Sequence, residues 1–264
     1  SPKTLFYRGE LPSEKVRSVA IVGARKPTNY GKEVTEKIAT ELAKAGIVIV
    51  SGMALGIDGI AHKAALDANG KTVAVLANGV DYFYPRTHES LGQRIVNSGG
   101  AVLSEYPNGT PALPHQFLER NRIVSGLADA VIVVEAALRS GTLSTANHAL
   151  EQGKDVFAVP GNITSKLSEG CNNFFNVWAN TVIFTQDIFD ILYPNDKLDE
   201  QAKILLGTNN EETLILELIS KDIFNGAELL QKSKLSVSDF NQAITMLEIN
   251  GQIKSSGANS WRLN

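Results

Sequence analysis

One cysteine, Cys171, is all that the 264 residues contain. An internal disulfide is excluded, a thiolate zinc site has no partners, and the usage fits a reducing cytoplasm. No run of about 18 apolar residues occurs, so no membrane span is expected, and no signal peptide marks the start. A strongly basic balance is missing too. The net charge is −3, so a polyanionic partner would need a local concentration of cations. The four histidines, His62, His88, His115 and His148, show no metal-ligand spacing, and no metal site is expected. His62 and His148 fall inside helical patterns, where structural roles are expected. Two nucleotide signatures are absent as well. The first turn reads GARKP rather than G-x-G-x-x-G, and the second strand ends in Ser51-Gly52 without the acidic residue that a dinucleotide site needs. The P-loop pattern is missing. No nicotinamide, flavin or other cofactor is expected. Ser51 and Ser140 have no placed base, so no Ser-His-Asp arrangement is supported. Asp58 and Glu135 are carboxylates without a nucleophile. Asp58 is expected to cap the helix it opens, and Glu135 to pair with an arginine at a strand edge.

What is present is organised around Glu119–Gly161. Its middle, Ala130–Val134, is a continuous apolar run, as in a strand buried on both faces of a parallel sheet. The turn after it carries Arg139, Ser140, Gly141 and Thr142. A helical pattern follows from Leu143 to Gln152, and Gly153 is placed to stop it. Strand, small-residue turn and helix point free backbone N–H groups and a helix dipole at an anion. Such a turn also serves purely for geometry. Just upstream, Arg120-Asn121-Arg122 adds cations beside the same corner.

With 43% hydrophobic and 20% charged residues, the chain has core enough for one large or two modest domains. Leu5-Phe6-Tyr7 reads as a lead-in packed on the main domain. Strands are expected at Ser18–Gly23, Ile47–Ser51, Thr72–Leu76 and Ala101–Ser104, then two within the central stretch, then Thr181–Phe184. Helices are expected near 32–45, 59–69, 89–97 and within 171–192. This alternation implies an α/β fold with a doubly wound, mostly parallel sheet, whose ligands bind at the carboxyl ends of the strands. Three turns of that edge are rich in Gly, Ser and Arg: Gly23–Lys26, Ser51–Asp58 and Arg139–Thr142. Their convergence points to phosphate. Arg25, Lys26, Arg86, Arg120, Arg122 and Arg139 supply the charge, and several arginines spread over turns suit a chain of phosphates better than one nucleotide. Tyr82, Phe83 and Tyr84 offer rings for base stacking, or alternatively close the core.

GARKPTNYG, SGMALGIDGIAH, YFYPR, ERNRIVSG and RSGTLSTANHALEQGKDVFAVPG occur in this order and together resemble the DNA-processing protein A (DprA, or Smf) family over roughly residues 5–192. The resemblance implies a Rossmann-like domain that binds single-stranded DNA, forms homodimers, protects incoming DNA in natural transformation and loads RecA, without being an enzyme. Members usually carry a small helical domain ahead of this core, and the start at Ser1-Pro2 without methionine is consistent with a truncated beginning. Arg25 stands where the family has its first-turn arginine. Arg86 stands where members carry a basic residue after Tyr-Pro. Gly52, Gly56, Asn121, Arg122, Ser140 and Gly141 match the remaining pocket motifs, and Gly23, Lys26, Ser51, Arg139 and Thr142 of the same turns complete the expected nucleic-acid site. His88 departs from a usual asparagine, and Phe174–Asn180 replaces a glycine-containing turn. A rival likeness, in Gly141-Thr142, is to phosphoribohydrolases that cleave nucleoside monophosphates. Those carry an acid just after the turn, whereas the next acid here is Glu151.

The expected organisation is a single-strand-binding domain over 1–195, a linker over 196–210 and a winged-helix domain over 211–264. Many family members end in such a domain. Residues 211–264 hold five Lys and Arg against seven Asp and Glu, and the presumed recognition helix, Val237–Asn250, has neither Lys nor Arg. Duplex binding relies on neutralising phosphates, so this domain is expected to contact protein or the chain's own core rather than a major groove.

Overall fold

The computed structural model describes residues 2–13, 15–175, 179–193, 209–221, 223–257 and 259–263. The chain divides into two compact units, Ser1–Leu192 and Tyr193–Asn264.

The larger unit holds eight strands: β1 (Phe6–Gly9), β2 (Ser18–Val22), β3 (Val48–Ser51), β4 (Thr72–Val75), β5 (Ala101–Ser104), β6 (Ala130–Val133), β7 (Asp155–Ala158) and β8 (Asn180–Thr181). Its helices are α1 (Asn29–Lys44), α2 (Ile57–Asp67), α3 (Glu89–Asn97), α4 (Pro114–Gly126), α5 (Thr142–Glu151), α6 (Glu169–Phe174) and α7 (Gln186–Leu192). The sheet order is β1-β5-β4-β3-β2-β6-β7-β8, parallel throughout except for β1, which runs antiparallel to β5. The lead-in thus becomes an edge strand. The interior strands are continuous apolar runs because both faces are covered. Val73 and Val75 pack with Ile123 and Val124 of α4 and Ala146 and Ala149 of α5. The alternate residues Ala74 and Leu76 pack with Leu66 of α2 and Ile95 of α3. Strand order steps away from β2 through β3, β4 and β5, then returns to its other side as β6. The carboxyl ends of β2 and β6 therefore part, which opens a crevice at a topological switch point.

Gly46 and Gly153 follow α1 and α5 with φ of +79° and +68°, the left-handed conformation that ends helices. Two expectations change. Arg120-Asn121-Arg122 lies inside α4 rather than in a turn. Pro114 occupies the first turn of that helix, and the Gln116 side chain accepts from the Leu113 N–H at 2.7 Å. The last strand is shorter than Thr181–Phe184. The N–H groups of Ile183 and Phe184 both donate to the Asp187 carboxylate at 2.8 Å, opening α7 instead of extending the ladder. Of the departure at 174–180, residues 176–178 lie outside the described residues, as do residues 196–208 of the expected linker over 196–210.

The smaller unit contains α8 (Asn210–Ser220), α9 (Gly226–Ser233) and α10 (Val237–Ile249), followed by an antiparallel hairpin of β9 (Ile253–Gly257) and β10 (Ser260–Leu263). Asn209, Asn225 and Ser236 cap the three helices with side-chain oxygens. Ile215, Ile219, Leu229, Phe240, Ile244, Leu247 and Ile253 form its own core. Three helices and a wing make this a winged helix.

Candidate nucleic-acid interface

The three turns do meet. A crevice of about 250 Å³ is lined by Gly23 and Arg25 after β2, by Gly52, Ala54 and Asp58 around the turn after β3, and by Ser140, Gly141 and Thr142 after β6. Phe117, Arg120 and Asn121 of α4 form its remaining wall.

The turn after β3 must pass very close to its neighbours, which is why it is glycine-rich. Gly56 has φ +80°, and a Cβ there would sit 2.3 Å from the Ala24 carbonyl oxygen. A Cβ on Gly52 would sit 2.6 Å from the Arg120 guanidinium. The turn is tied from below by two buried, oppositely charged side chains that each bind its backbone. Asp58 accepts from the N–H groups of Gly52 (3.1 Å) and Ala54 (3.3 Å), so it clamps the turn behind it instead of capping the end of α2, whose first flank is Gly56 with no side-chain cap. Arg120, 4% exposed, donates to the carbonyls of Gly52 (2.6 Å) and Val75. Its buried Nε has no hydrogen-bond partner among the described residues. Burial drives the Asp58 carboxyl up from its usual range, opposed by the Arg120 charge and the two backbone donors. Burial likewise lowers Arg120 to about 10, with Asp58 pulling the other way and Arg25 adding repulsion. Two charges in one dry turn need each other.

The turn after β6 is braced similarly. Asn121 donates to the Gly141 carbonyl (3.1 Å) and to Ser144 Oγ (2.8 Å). Thr142 Oγ1 donates to the Gly23 carbonyl at 3.1 Å, joining the first and third turns. The expected row of free N–H groups at the start of α5 is partly used up. Thr142 N–H donates to Ser140 Oγ, Leu143 N–H to the Ser140 carbonyl, and Ser144 N–H to the Gly141 carbonyl. Anion attraction here rests on the helix dipole and on Arg25, which is exposed.

Sequence reasoning missed the aromatic wall. The Phe117 ring lies 5.4 Å from the Arg25 guanidinium carbon and 6.0 Å from that of Arg120. Tyr84 packs on it with ring centroids 5.7 Å apart. A half-buried ring beside an exposed guanidinium and an exposed tyrosine offers a stacking face next to phosphate donors. Of the aromatic trio singled out in the sequence, Phe83 is buried in the core beside Val102, Tyr82 donates to the Thr110 carbonyl, and Tyr84 reaches the site.

The other expected site residues sit elsewhere. Ser51 turns into the sheet, its hydroxyl donating to the Ile21 carbonyl at 2.6 Å. Arg122 is paired with Glu105. Arg139 is exposed on the loop after β6, and Arg86 is exposed on a single 3₁₀ turn, Arg86–His88; neither lines the crevice. Lys26 and Gly56 face a neighbouring groove that shares Arg25 with the crevice. Among the described residues Glu135 pairs with no arginine: it accepts from Thr28 N–H (2.9 Å) and Thr28 Oγ1 (2.5 Å), fixing the residue that caps α1. His62 is buried, and its Nδ1 lies 2.6 Å from Thr72 Oγ1. Because that hydroxyl gives its hydrogen to the Ile49 carbonyl, His62 Nδ1 carries the proton. Burial lowers this imidazole to about 3, so it stays neutral.

The family model for DNA recombination-mediator protein A matches residues 1–193. Over 191 residues the chain is 49% identical to Protein Smf of Escherichia coli, covering 72% of this chain and 51% of that protein. It is 45% identical over 188 residues to DNA processing protein DprA of Streptococcus pneumoniae, covering 71% and 66%. The chain thus spans between about half and just under two thirds of the length of these relatives. The solved pneumococcal DprA structure superposes with a TM-score of 0.66 at 45% identity, over 70% of this chain and 65% of that one. DNA processing protein A of Helicobacter pylori, for which a single-stranded DNA binding mode is described, superposes with a TM-score of 0.66 at 36% identity, over 74% and 88%. On this match, which takes in every turn of the crevice, the chain belongs to the DNA recombination-mediator protein A family.

Proposed function

We propose that this protein binds single-stranded DNA in recombination and natural transformation, protecting incoming DNA and loading RecA on it, as a cytoplasmic homodimer without catalytic activity. The observation that carries the reading is the crevice itself. Three glycine-rich turns, an exposed Arg25 and the Phe117 ring meet at the switch point of the sheet. That is a phosphate seat beside a base platform, the two elements a sequence-tolerant single-strand site needs. The single-strand binding mode described for the Helicobacter pylori relative supports it. Residues 1–195 carry the strand in this account, with Arg86 and Arg139 meeting it outside the crevice.

The hydrolase alternative gains no support from the crevice. The carboxylate of its lining, Asp58, is buried and accepts from two backbone N–H groups, so it is held in the turn rather than presented to a leaving base. The winged helix is proposed to contact protein. Val237, Met246 and Ile249 of α10 are exposed apolar groups, and no cation on that helix offsets them.

Anisotropy titration of labelled oligo-dT tests the reading. Arg25→Ala should weaken binding equally on dT and on mixed-sequence strands and reduce the salt slope by about 0.7, the value of one neutralised phosphate on single strands. Parent-like affinity and slope would refute the site.

A further inference from the structure

Beyond the crevice, and sharing Arg25 with it, lies a second groove of about 750 Å³. It runs between the loop after β2, the first turns of α1 and α2, and α3. Its charge is unusual for a protein of net negative charge. Lys26, Lys32 and Lys63 line it and are exposed, and none of the three forms an ion pair among the described residues. Arg94 lines it too, but that charge is already met by Asp67 at 2.7 Å. No Asp or Glu belongs to the lining. The floor is apolar: Pro27, Leu55, Ile60 and Leu91 lie between the cations, and Leu55 is 46% exposed. His88 closes one side and is held in place by a 3.0 Å hydrogen bond from Nδ1 to the Met53 carbonyl, so the groove wall and the turn of the crevice are one braced unit.

Resting on the reading of the crevice as a single-strand site, we propose that this groove carries the next nucleotides of the same strand. Phosphates leaving the crevice pass Arg25 to Lys26, Lys32 and Lys63, while sugars and bases lie on Leu55 and Leu91. Continuity through Arg25 sets the path. The apolar floor selects the partner: a duplex keeps its base faces stacked inside, so the exposed Leu55 finds no base face to cover it. A splayed single strand offers base faces that cover it. Two segments in series also lengthen the footprint, which raises affinity for long strands without altering the chemistry of the first segment.

The test uses the whole protein and two oligo-dT strands, one of roughly 4 nucleotides, at the low end of single-strand site sizes, and one of about 20. Lys32→Gln/Lys63→Gln changes two exposed side chains, and an unchanged thermal transition shows that the fold is intact. The parent should bind the long strand more tightly and with a steeper salt slope than the short one. The double variant should bind the short strand like the parent, and on the long strand lose about 1.4 from the slope, two phosphates at about 0.7 each. Lys32→Arg/Lys63→Arg should restore it. A double variant that keeps the parent's slope on the long strand overturns the groove while leaving the crevice standing. A variant that loses only duplex affinity overturns it also, by making the groove a duplex site. A parent that binds neither strand removes crevice and groove together.

Discussion

Arg120→Met tests whether the crevice is held open by the attraction between two buried charges, Arg120 and Asp58. The substitution keeps the length and apolar volume of the side chain and removes its charge and donors. Two consequences follow from the geometry. The carbonyls of Gly52 and Val75 lose their donor, and the buried Asp58 loses the cation that offsets its burial. Breaking a buried pair from one side costs about 3–5 kcal/mol. With a urea slope of about 2 kcal/mol/M, that moves the unfolding midpoint down by about 2 M. The deficit depends on pH, with a definite sign. Burial raises the Asp58 carboxyl above its unfolded value. Between those two values the folded chain keeps a proton that the unfolded chain releases, so stability falls as pH rises through the window. Arg120 limits that fall, and removing it raises Asp58 further and extends the window upward. Arg120→Met should therefore show its full deficit near pH 7. Toward about pH 4, the ordinary carboxylate range, the deficit should shrink to what the lost hydrogen bonds alone cost, about 1–3 kcal/mol for each carbonyl left without a donor. Asp58→Asn/Arg120→Met should be more stable at pH 7 than Arg120→Met alone. The assay is urea unfolding by far-ultraviolet circular dichroism, read in the transition of the larger unit. A deficit that does not vary with pH, together with a double variant no more stable than the single, would refute the pair as the brace of this turn.

Phe117→Ala should lose about 1–3 kcal/mol of single-strand affinity, the usual worth of one base–aromatic stack, while Phe117→Trp keeps it; anisotropy reads both, and an Ala variant that binds like the parent removes the platform. Residues 209–264 expressed alone should fold on their own core and show no duplex retardation in a native gel at physiological salt, since α10 offers no cation; a retained shift would return the winged helix to the major groove.

The parallel sheet was legible in the sequence because its strands are buried on both faces and read as unbroken apolar runs, Ser18–Gly23 and Ala130–Val134 most clearly. The three turns were legible because close backbone approach admits little but glycine, as at Gly52 and Gly56. The helix α4 was not. Its buried face carries Gln116 and Arg120 among Ile123 and Val124, which breaks the apolar period that marks a helix. Pro114 at its start was the available signal. Phe117 was missed for the same reason, since a ring outside any glycine turn gains its meaning only once α4 lies across the crevice. Ser51 and Arg122 matched the pattern of a phosphate site by residue type. Their partners, the Ile21 carbonyl and Glu105, come from distant segments that spacing alone cannot place. The same holds for Glu135, which bonds Thr28 across 107 positions.

The most direct test of the central claim is a salt titration of binding to a long oligo-dT strand beside the matching duplex. The account predicts tight single-strand binding whose logarithm falls steeply with the logarithm of salt, by about 0.7 per phosphate engaged, and much weaker duplex binding. Equal affinity for the two, or a single-strand affinity indifferent to salt, would contradict it.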